Sequence, residues 1–423
     1  MNIYIVVLIL FMLLLLSVGH MASRRKKETV SDYFVAGRSM GVIVIAGVYG
    51  GSFLSAGSFV GTIGFNYAYG WSATWQLLGT LTCLFVLAAF FAKKFWRFGY
   101  YNDAVTMPDL IGLRYPSKWS RGLYSVIILV IYTIGLAAMY MGIYTVLSQV
   151  SELSYMTCII IGASVVFIYT FSGGARAVAW TDTVCMFLMV GAMVVLIPTI
   201  LIKAGGFEAL ITKLGTAVTP EGKPWQQGAA LLSGTNSFLT ASVSFGWFLI
   251  WACGNLCQPH QLTRIYLAKN EKVARGAVAL CMIPFMLIYL AGLLVASYAR
   301  NRFPDLPRID AAFPAVAMDI FPPAFAAVIL MAIIAAIMST AATMLLITSQ
   351  CTSYDIYKKL IKPDAGEKSI LAISRGTMLV CSILSVVIAY FAQTITGLIF
   401  LWSAAFAMMG AGILPSLISA FFW

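Results

Sequence analysis

The sequence predicts an all-α polytopic membrane protein of about eleven transmembrane helices, ten of them forming a 5+5 inverted repeat behind one extra N-terminal helix. Three observations carry this expectation: the composition, the recurrence of apolar runs at membrane length, and the placement of charge between those runs. Of 423 residues, 61% are hydrophobic and 10% charged, at a mean hydropathy of +0.92, whereas soluble domains carry about 25% charged residues. The net charge of +12 lies in short connections between apolar runs, so it reads as membrane topology and not as a nucleic-acid surface. Eight cysteines (Cys83, Cys158, Cys185, Cys253, Cys257, Cys281, Cys351 and Cys381) fall nearly all within apolar segments. They lack metal-ligand spacing and read as core filler.

Runs of about 20 apolar residues predict helices near 2–22, 40–66, 71–92, 122–149, 153–172, 182–203, 237–254, 276–299, 323–349, 370–391 and 395–422. The first lacks a basic leading region and precedes Arg24-Arg25-Lys26-Lys27, which predicts an uncleaved helix with its N-terminus outside. Later connections agree. Lys93, Lys94, Arg97, Arg114, Lys118 and Arg121 fall inside, as do Arg264, Lys269, Lys272 and Arg275, and Lys358, Lys359, Lys362 and Lys368. Segment 204–236, with Lys213 and Lys223, and segment 300–322, with Arg300, Arg302 and Arg308, fall outside.

With helix 1–22 set aside, 40–203 and 237–422 each hold five helices, and two odd-numbered units must insert with opposite orientation. The connection 204–236 is the seam. In such a plan the first helix of each unit is broken near the bilayer midplane, freeing backbone carbonyls. The second helix has a fitting interruption at Gly50-Gly51-Ser52-Phe53-Leu54-Ser55-Ala56-Gly57-Ser58. The seventh has Ser242-Val243-Ser244-Phe245-Gly246-Trp247, then Ala252-Cys253-Gly254-Asn255. Glycine is also a packing residue in membrane helices, and for the seventh helix alone that is the simpler reading.

The ninth helix carries Ala335-Ala336-Ile337-Met338-Ser339-Thr340-Ala341-Ala342-Thr343. At i, i+3 and i+4, Ala336, Ser339 and Thr340 put a carbonyl and two hydroxyls on one face, a set able to hold a dehydrated sodium ion. The competing reading is close helix packing, with the hydroxyls bonded back to i−4 carbonyls. Asp182, at the membrane end of the sixth helix, needs a partner or a task, and Arg176 and Arg264 are the candidate partners. His260 follows a proline among basic residues, where a hinge or cap role competes with proton coupling.

Several motifs together resemble the sodium:solute symporter family: Asp32-Tyr33-Phe34-Val35-Ala36-Gly37-Arg38-Ser39, Thr106-Met107-Pro108-Asp109 with Arg114-Tyr115, and Gly173-Gly174 with Trp180-Thr181-Asp182-Thr183. Gln258-Pro259-His260 with Arg264, and the Ala335–Thr340 run with Asp355-Ile356-Tyr357, continue the match in order. The resemblance implies a leucine-transporter-like fold and uptake of a small organic solute driven by sodium. It further implies a sodium site of the Gly51, Leu54 and Ala336 carbonyls with the Ser339 and Thr340 hydroxyls, an uncharged oxygen set suited to a monovalent ion that must leave each cycle. Some members use the aspartate matching Asp182 in an additional sodium site; here Thr343 could join it, but Ala342 offers no hydroxyl. Phe53 stands where proline-type carriers have an aspartate.

The solute is expected between the two breaks, with Ser55, Ser58, Tyr132, Tyr140, Trp247, Trp251 and Asn255 as candidate lining residues. Gly135 and Asn255 stand where proline-type carriers have tyrosines. Ser55–Gly61, Pro322-Pro323 and Val218–Gly222 are similar to pantothenate-type carriers, implying a small carboxylate such as pantothenate. Proton coupling, or a proline, amino-acid or sugar substrate on the same fold, is the alternative. An enzyme is disfavoured by the absence of an HExxH motif and by only two histidines, His20 and His260. A channel filter built by oligomeric symmetry is disfavoured by the whole repeat in one chain. A sensor reading lacks a soluble module after the eleventh helix. The expected partners are sodium, the solute and the bilayer of a bacterial-type cytoplasmic membrane, with no cofactor, nucleic acid or obligatory protein partner. Family members commonly continue for two more helices, so the sequence is expected to be a fragment.

Overall fold

The computed structural model describes residues 3–23, 30–215, 217, 225, 240–392 and 398–422. Arg24–Lys27 and most of the connection 204–236, including Val218–Gly222 and Lys223, lie outside the described residues. The described residues are helical almost throughout. Among the described residues, eight helices are long and apolar enough to cross a membrane, and a bent pair adds a ninth span. Tyr155–Ile168 and Ala241–Leu256 are shorter apolar helices and complete the eleven predicted segments.

Helix α1 (Ile3–Ser23) is followed by the short α2 (Val30–Val35). The second span is broken as expected: α3 (Val42–Phe53) and α4 (Gly57–Tyr69) meet at 59°. Leu54 leaves the helix with φ −75 and ψ 105. Then follow α5 (Trp75–Tyr101), α6 (Met107–Arg114) and α7 (Lys118–Leu147). Thr106 and Asp109 cap α6 reciprocally, with Pro108 in the first turn where no N–H is needed.

Tyr155–Ala204 is continuous by hydrogen bonding but holds two helices. Gly174 turns between them at φ 55, and a Cβ there would lie 2.7 Å from the Tyr33 carbonyl oxygen, so only glycine fits. We call the arms α8 (Tyr155–Ile168) and α9 (Gly174–Ala204). The sixth span therefore begins eight residues before the predicted 182.

After α10 (Phe207–Leu214) come α11 (Ala241–Leu256) and α12 (Pro259–Tyr266). The predicted interruption, Ser242–Trp247 and then Ala252–Asn255, is unbroken helix. The break falls at Cys257-Gln258, where Pro259 opens a new first turn. Helices α13 (Glu271–Arg302), α14 (Ala312–Ile320), α15 (Pro323–Ile361), α16 (Glu367–Phe391) and α17 (Leu398–Phe422) complete the chain.

Helix α15 is the hub. Its most apolar window is 83% buried against 17% for α1, and it packs on α9, α7, α16 and α3. Small residues allow α3 to approach α9: Cβ atoms on Gly47, Gly50 and Gly51 would meet Thr183, Met186 and Asp182 at 2.5–2.9 Å. The cysteines are unpaired and buried, except the partly exposed Cys253.

On one side of the bundle, a clip joins the start of α3, the end of α5 and the α12–α13 turn. Met40 N–H donates to Leu267 O at 3.0 Å, Lys269 N–H donates to Met40 O at 3.0 Å, and Trp96 Nε1 donates to Ala268 O at 2.7 Å. Glu271 pairs with Arg97 at 2.5 Å and with Lys93 at 3.3 Å beside it.

Candidate ion and solute site

Breaking α3 from α4 removes the backbone donors that the last carbonyls of α3 would otherwise meet, and an orphaned carbonyl in hydrocarbon must find another partner. The partners come from α15. Ser339 Oγ donates to Gly51 O, and Thr340 Oγ1 lies 3.1 Å from Ser52 O and 3.4 Å from Leu54 O. Both hydroxyls also reach back to Ala336 O, at 3.3 and 3.2 Å. The five predicted ion-site residues are thus brought together, with Ser52 O as a sixth oxygen that sequence reasoning missed. All are buried. Around a calcium-sized cation, a radius sodium nearly shares, oxygens about 2.4 Å from the metal stand about 3.4 Å apart in an octahedron. Four of the five oxygen pairs here lie 3.1–3.4 Å apart, while Ser339 Oγ and Gly51 O stand closer, as a hydrogen-bonded pair.

Asp182 lies beside this cluster, its carbonyl oxygen 2.5 Å from a Cβ on Gly51. Of the two candidate partners it takes Arg264: Nη2 to Oδ2 is 3.0 Å, with side chains 2% and 0% exposed. The same Nη2 meets Thr343 Oγ1, which lies 3.4 Å from Asp182 Oδ2 and donates to Ser339 O at 3.0 Å. Arg176 instead donates to Ala36 O at 3.2 Å. A guanidinium therefore occupies the space between Asp182 and Thr343, the two residues of the possible second ion site.

The solute candidates divide. Ser58 lies beside Tyr289 at 3.5 Å, and Asn255 Nδ2 donates to Thr80 Oγ1 at 3.3 Å. Thr62 Oγ1 donates to Gln76 Oε1 at 2.9 Å. This uncharged polar cluster spans α4, α5, α11 and α13. Gln76, Thr80 and Tyr289 were not singled out from the sequence, since nothing local distinguishes them. Ser55 Oγ caps the break by accepting from Gly57 N–H at 3.1 Å. Trp247 stacks on Phe65 at 4.9 Å, and Trp251 packs on Phe406 at 4.6 Å. Gln76 Nε2, Trp251 Nε1 and Asn255 Oδ1 are buried without a hydrogen-bond partner among the described residues.

Tyr140 is not brought to the breaks. Its hydroxyl meets Ser382 Oγ of α16 at 3.2 Å, because eight residues of helix turn it about 80° from Tyr132. Tyr132 does reach the second break, 2.6 Å from His260 Nδ1. Phe53 fills its position as a ring, edge-on to Phe285 at 4.5 Å. Helix α17, which carried no site residue in the sequence reading, crosses both breaks: Trp402 lies against Gly57 and Gly135, and Phe406 against Gly254.

Comparison with known proteins gives a consistent picture. The sequence pattern of the sodium:solute symporter family matches residues 33–423. The sodium/proline symporter of Escherichia coli (strain K12) is 29% identical over 419 residues, covering 96% of this chain and 80% of that protein. The sodium/pantothenate symporter of Haemophilus influenzae is 28% identical over 402 residues, covering 95% and 79%. A sodium-coupled sialic acid symporter, solved in a substrate-bound outward-open state, superposes with a TM-score of 0.81 at 21% identity, covering 100% of this chain and 87% of that one. A nucleobase-cation-symport-1 family transporter in a closed conformation gives 0.55 at 12% identity, covering 87% and 75%.

Proposed function

Because the chain belongs to the sodium:solute symporter family, a membrane transporter family of leucine-transporter-like fold and not an enzyme family, we propose that it imports a small carboxylate such as pantothenate together with sodium. Gly51, Leu54 and Ala336 carbonyls with the Ser339 and Thr340 hydroxyls form the sodium site, and Ser52 O adds to it. The observation that carries this reading is the convergence of two α15 hydroxyls on carbonyls freed by the α3–α4 break. An uncharged oxygen set holds sodium without trapping it.

The solute occupies the space bounded by Ser58, Gln76, Trp251, Asn255 and Tyr289. Trp251 Nε1 and Gln76 Nε2 supply donors for a carboxylate, and Asn255 Oδ1 accepts from a hydroxyl or amide of the solute. These five residues include no carboxylate to pair an ammonium group, which favours a pantothenate-like acid over an amino acid. The relatives' named substrates, proline and pantothenate, bracket the choice.

Alternating access proceeds by rocking α3/α4, α5, α11/α12 and α13 against the remaining helices, with the halves 40–203 and 237–422 as inverted repeats and the N-terminus outside the cytoplasmic membrane. The clip of Met40 with Leu267 and Lys269, and of Trp96 with Ala268, supports this, since it fastens those moving spans to one another.

Ser339→Ala with Thr340→Ala is expected to abolish sodium-dependent uptake in a folded protein. Unchanged sodium stimulation would overturn the site assignment. Thermal unfolding with pantothenate, proline and a sugar, each in sodium or potassium, tests the solute: the expected midpoint shift requires both sodium and pantothenate.

A further inference from the structure

We propose that Tyr132 is a positioning residue whose hydroxyl, offered by α7, caps α12 and so fixes the second break and the end of α11 that runs into it; the inference rests on Trp251 and Asn255 lining the solute space. A helix that begins at a break presents N–H groups with no partner in its own turn. Helix α12 starts at Pro259, which has no N–H, and the side chain of its N-cap residue Gln258 makes no capping bond. Gln261 N–H and Leu262 N–H return to Gln258 O at 3.0 and 3.1 Å, which leaves the N–H of His260. It donates to the Tyr132 hydroxyl oxygen at 3.2 Å. The two breaks are thus served alike: α15 hydroxyls meet carbonyls freed at the first, and an α7 hydroxyl meets the N–H freed at the second.

The same hydroxyl lies 2.6 Å from His260 Nδ1 and 3.2 Å from Gln258 Oε1. Gln261 Nε2 stands 3.0 Å from the ring Nε2. An amide nitrogen only donates, so Nε2 accepts and the network assigns the ring hydrogen to Nδ1. Both N–H groups of His260 then donate to the Tyr132 oxygen, and the phenol hydrogen goes to Gln258 Oε1. One hydroxyl therefore holds the residues on either side of Pro259, and Tyr132, Gln258, His260 and Gln261 are all buried. The held segment runs straight into the solute residues: Gln258 N–H donates to Asn255 O at 3.3 Å, and Trp251 lies one turn earlier on α11. Phenylalanine at 132 would keep the ring but leave two donors and one acceptor buried without partners, so the break and the end of α11 must shift to satisfy them.

The test measures uptake by the full chain reconstituted in vesicles, with pantothenate and proline as probes. Tyr132→Phe is expected to raise the solute KM about tenfold, with the maximal rate and the sodium concentration for half-maximal uptake each changed less than about twofold, since the ion site on α3 and α15 is untouched. Gln258→Met removes only the acceptor and gives a rise of about threefold, which keeps the test open should Tyr132→Phe not fold. Added to Tyr132→Phe it contributes less than it does alone, because both act on one hydroxyl. His260→Asn, whose amide N–H takes the place of Nδ1–H, keeps the solute KM within about twofold of the parent, whereas His260→Leu raises it about fivefold.

Trp251→Phe is measured in parallel. If it raises the solute KM while Tyr132→Phe and Gln258→Met do not, or if those two lower the maximal rate alone or raise the sodium and solute requirements equally, the role of Tyr132 is overturned and the solute site stands. If Trp251→Phe also leaves the solute KM unchanged, or the parent takes up neither probe with sodium, the solute reading fails and the inference fails with it.

Discussion

Replacing Asp182 by asparagine separates two roles for this carboxylate, ion-pair partner and cation ligand. Its Oδ2 lies 3.0 Å from Arg264 Nη2, and neither side chain is more than 2% exposed. At an effective dielectric of about 20, unit charges 3 Å apart attract by about 5–6 kcal/mol. Removing one partner strands the other and typically costs about 3–5 kcal/mol. The asparagine amide would still accept a hydrogen bond, so the expected loss is near the lower end, about 3 kcal/mol. Arg264→Gln should cost a similar amount, since it leaves Asp182 charged and buried, with an Oδ1 that has no hydrogen-bond partner among the described residues. The double variant carries no stranded charge, and its loss should fall short of the two single losses combined by about 2 kcal/mol. Denaturant unfolding in detergent, without sodium, reads these values. Additivity within about 0.5 kcal/mol would refute the ion-pair reasoning. If the cooperativity of sodium dependence is reduced in the Asp182→Asn and double variants alike, whatever their stability, the carboxylate is a cation ligand and not solely the partner of Arg264.

Three further outcomes follow from the geometry. Gly51→Ala places a Cβ 2.5 Å from the Asp182 carbonyl oxygen, so α3 and α9 must part at a cost of about 1–3 kcal/mol; sodium titration of uptake should show at least tenfold weaker dependence, and an unchanged titration would mean that the ion site does not need this approach. Trp251→Phe keeps a ring against Phe406 but removes the unpartnered indole N–H. The solute KM should rise about five- to tenfold with sodium dependence unchanged, and an equal shift in both would place Trp251 outside solute contact. Tyr140→Phe loses only the hydrogen bond to Ser382; about 1 kcal/mol of stability should go while uptake kinetics stay the same, and a changed solute KM would return Tyr140 to the site.

The spans, the break in the second helix and the Ser339/Thr340 pair were legible in the sequence because the bilayer imposes local rules. Membrane-length helices need about 20 apolar residues, and polar backbone within them must be satisfied nearby. Gly50–Ser58 and Ala335–Thr343 depart from plain apolar helix in ways those rules make visible. The second break was partly legible: Pro259 marks where a new helix can start, yet the predicted interruption, Ser242–Trp247 and then Ala252–Asn255, ends short of the break at Cys257-Gln258. What only the tertiary structure decided depends on helix rotation and on neighbours far apart in sequence. Choosing Arg264 over Arg176 required α12 to face α9 across 82 residues. Turning Tyr140 toward α16 and Tyr132 toward the second break required the azimuth of α7 against its neighbours. The buried ion network of Asp109, Arg121 and Asp355, the latter two 3.5 Å apart, and the crossing of both breaks by Trp402 and Phe406 likewise exist only after folding. Hydropathy specifies which segments enter the membrane; the side chains that meet inside it are set by close packing between helices, a relation that no local pattern encodes.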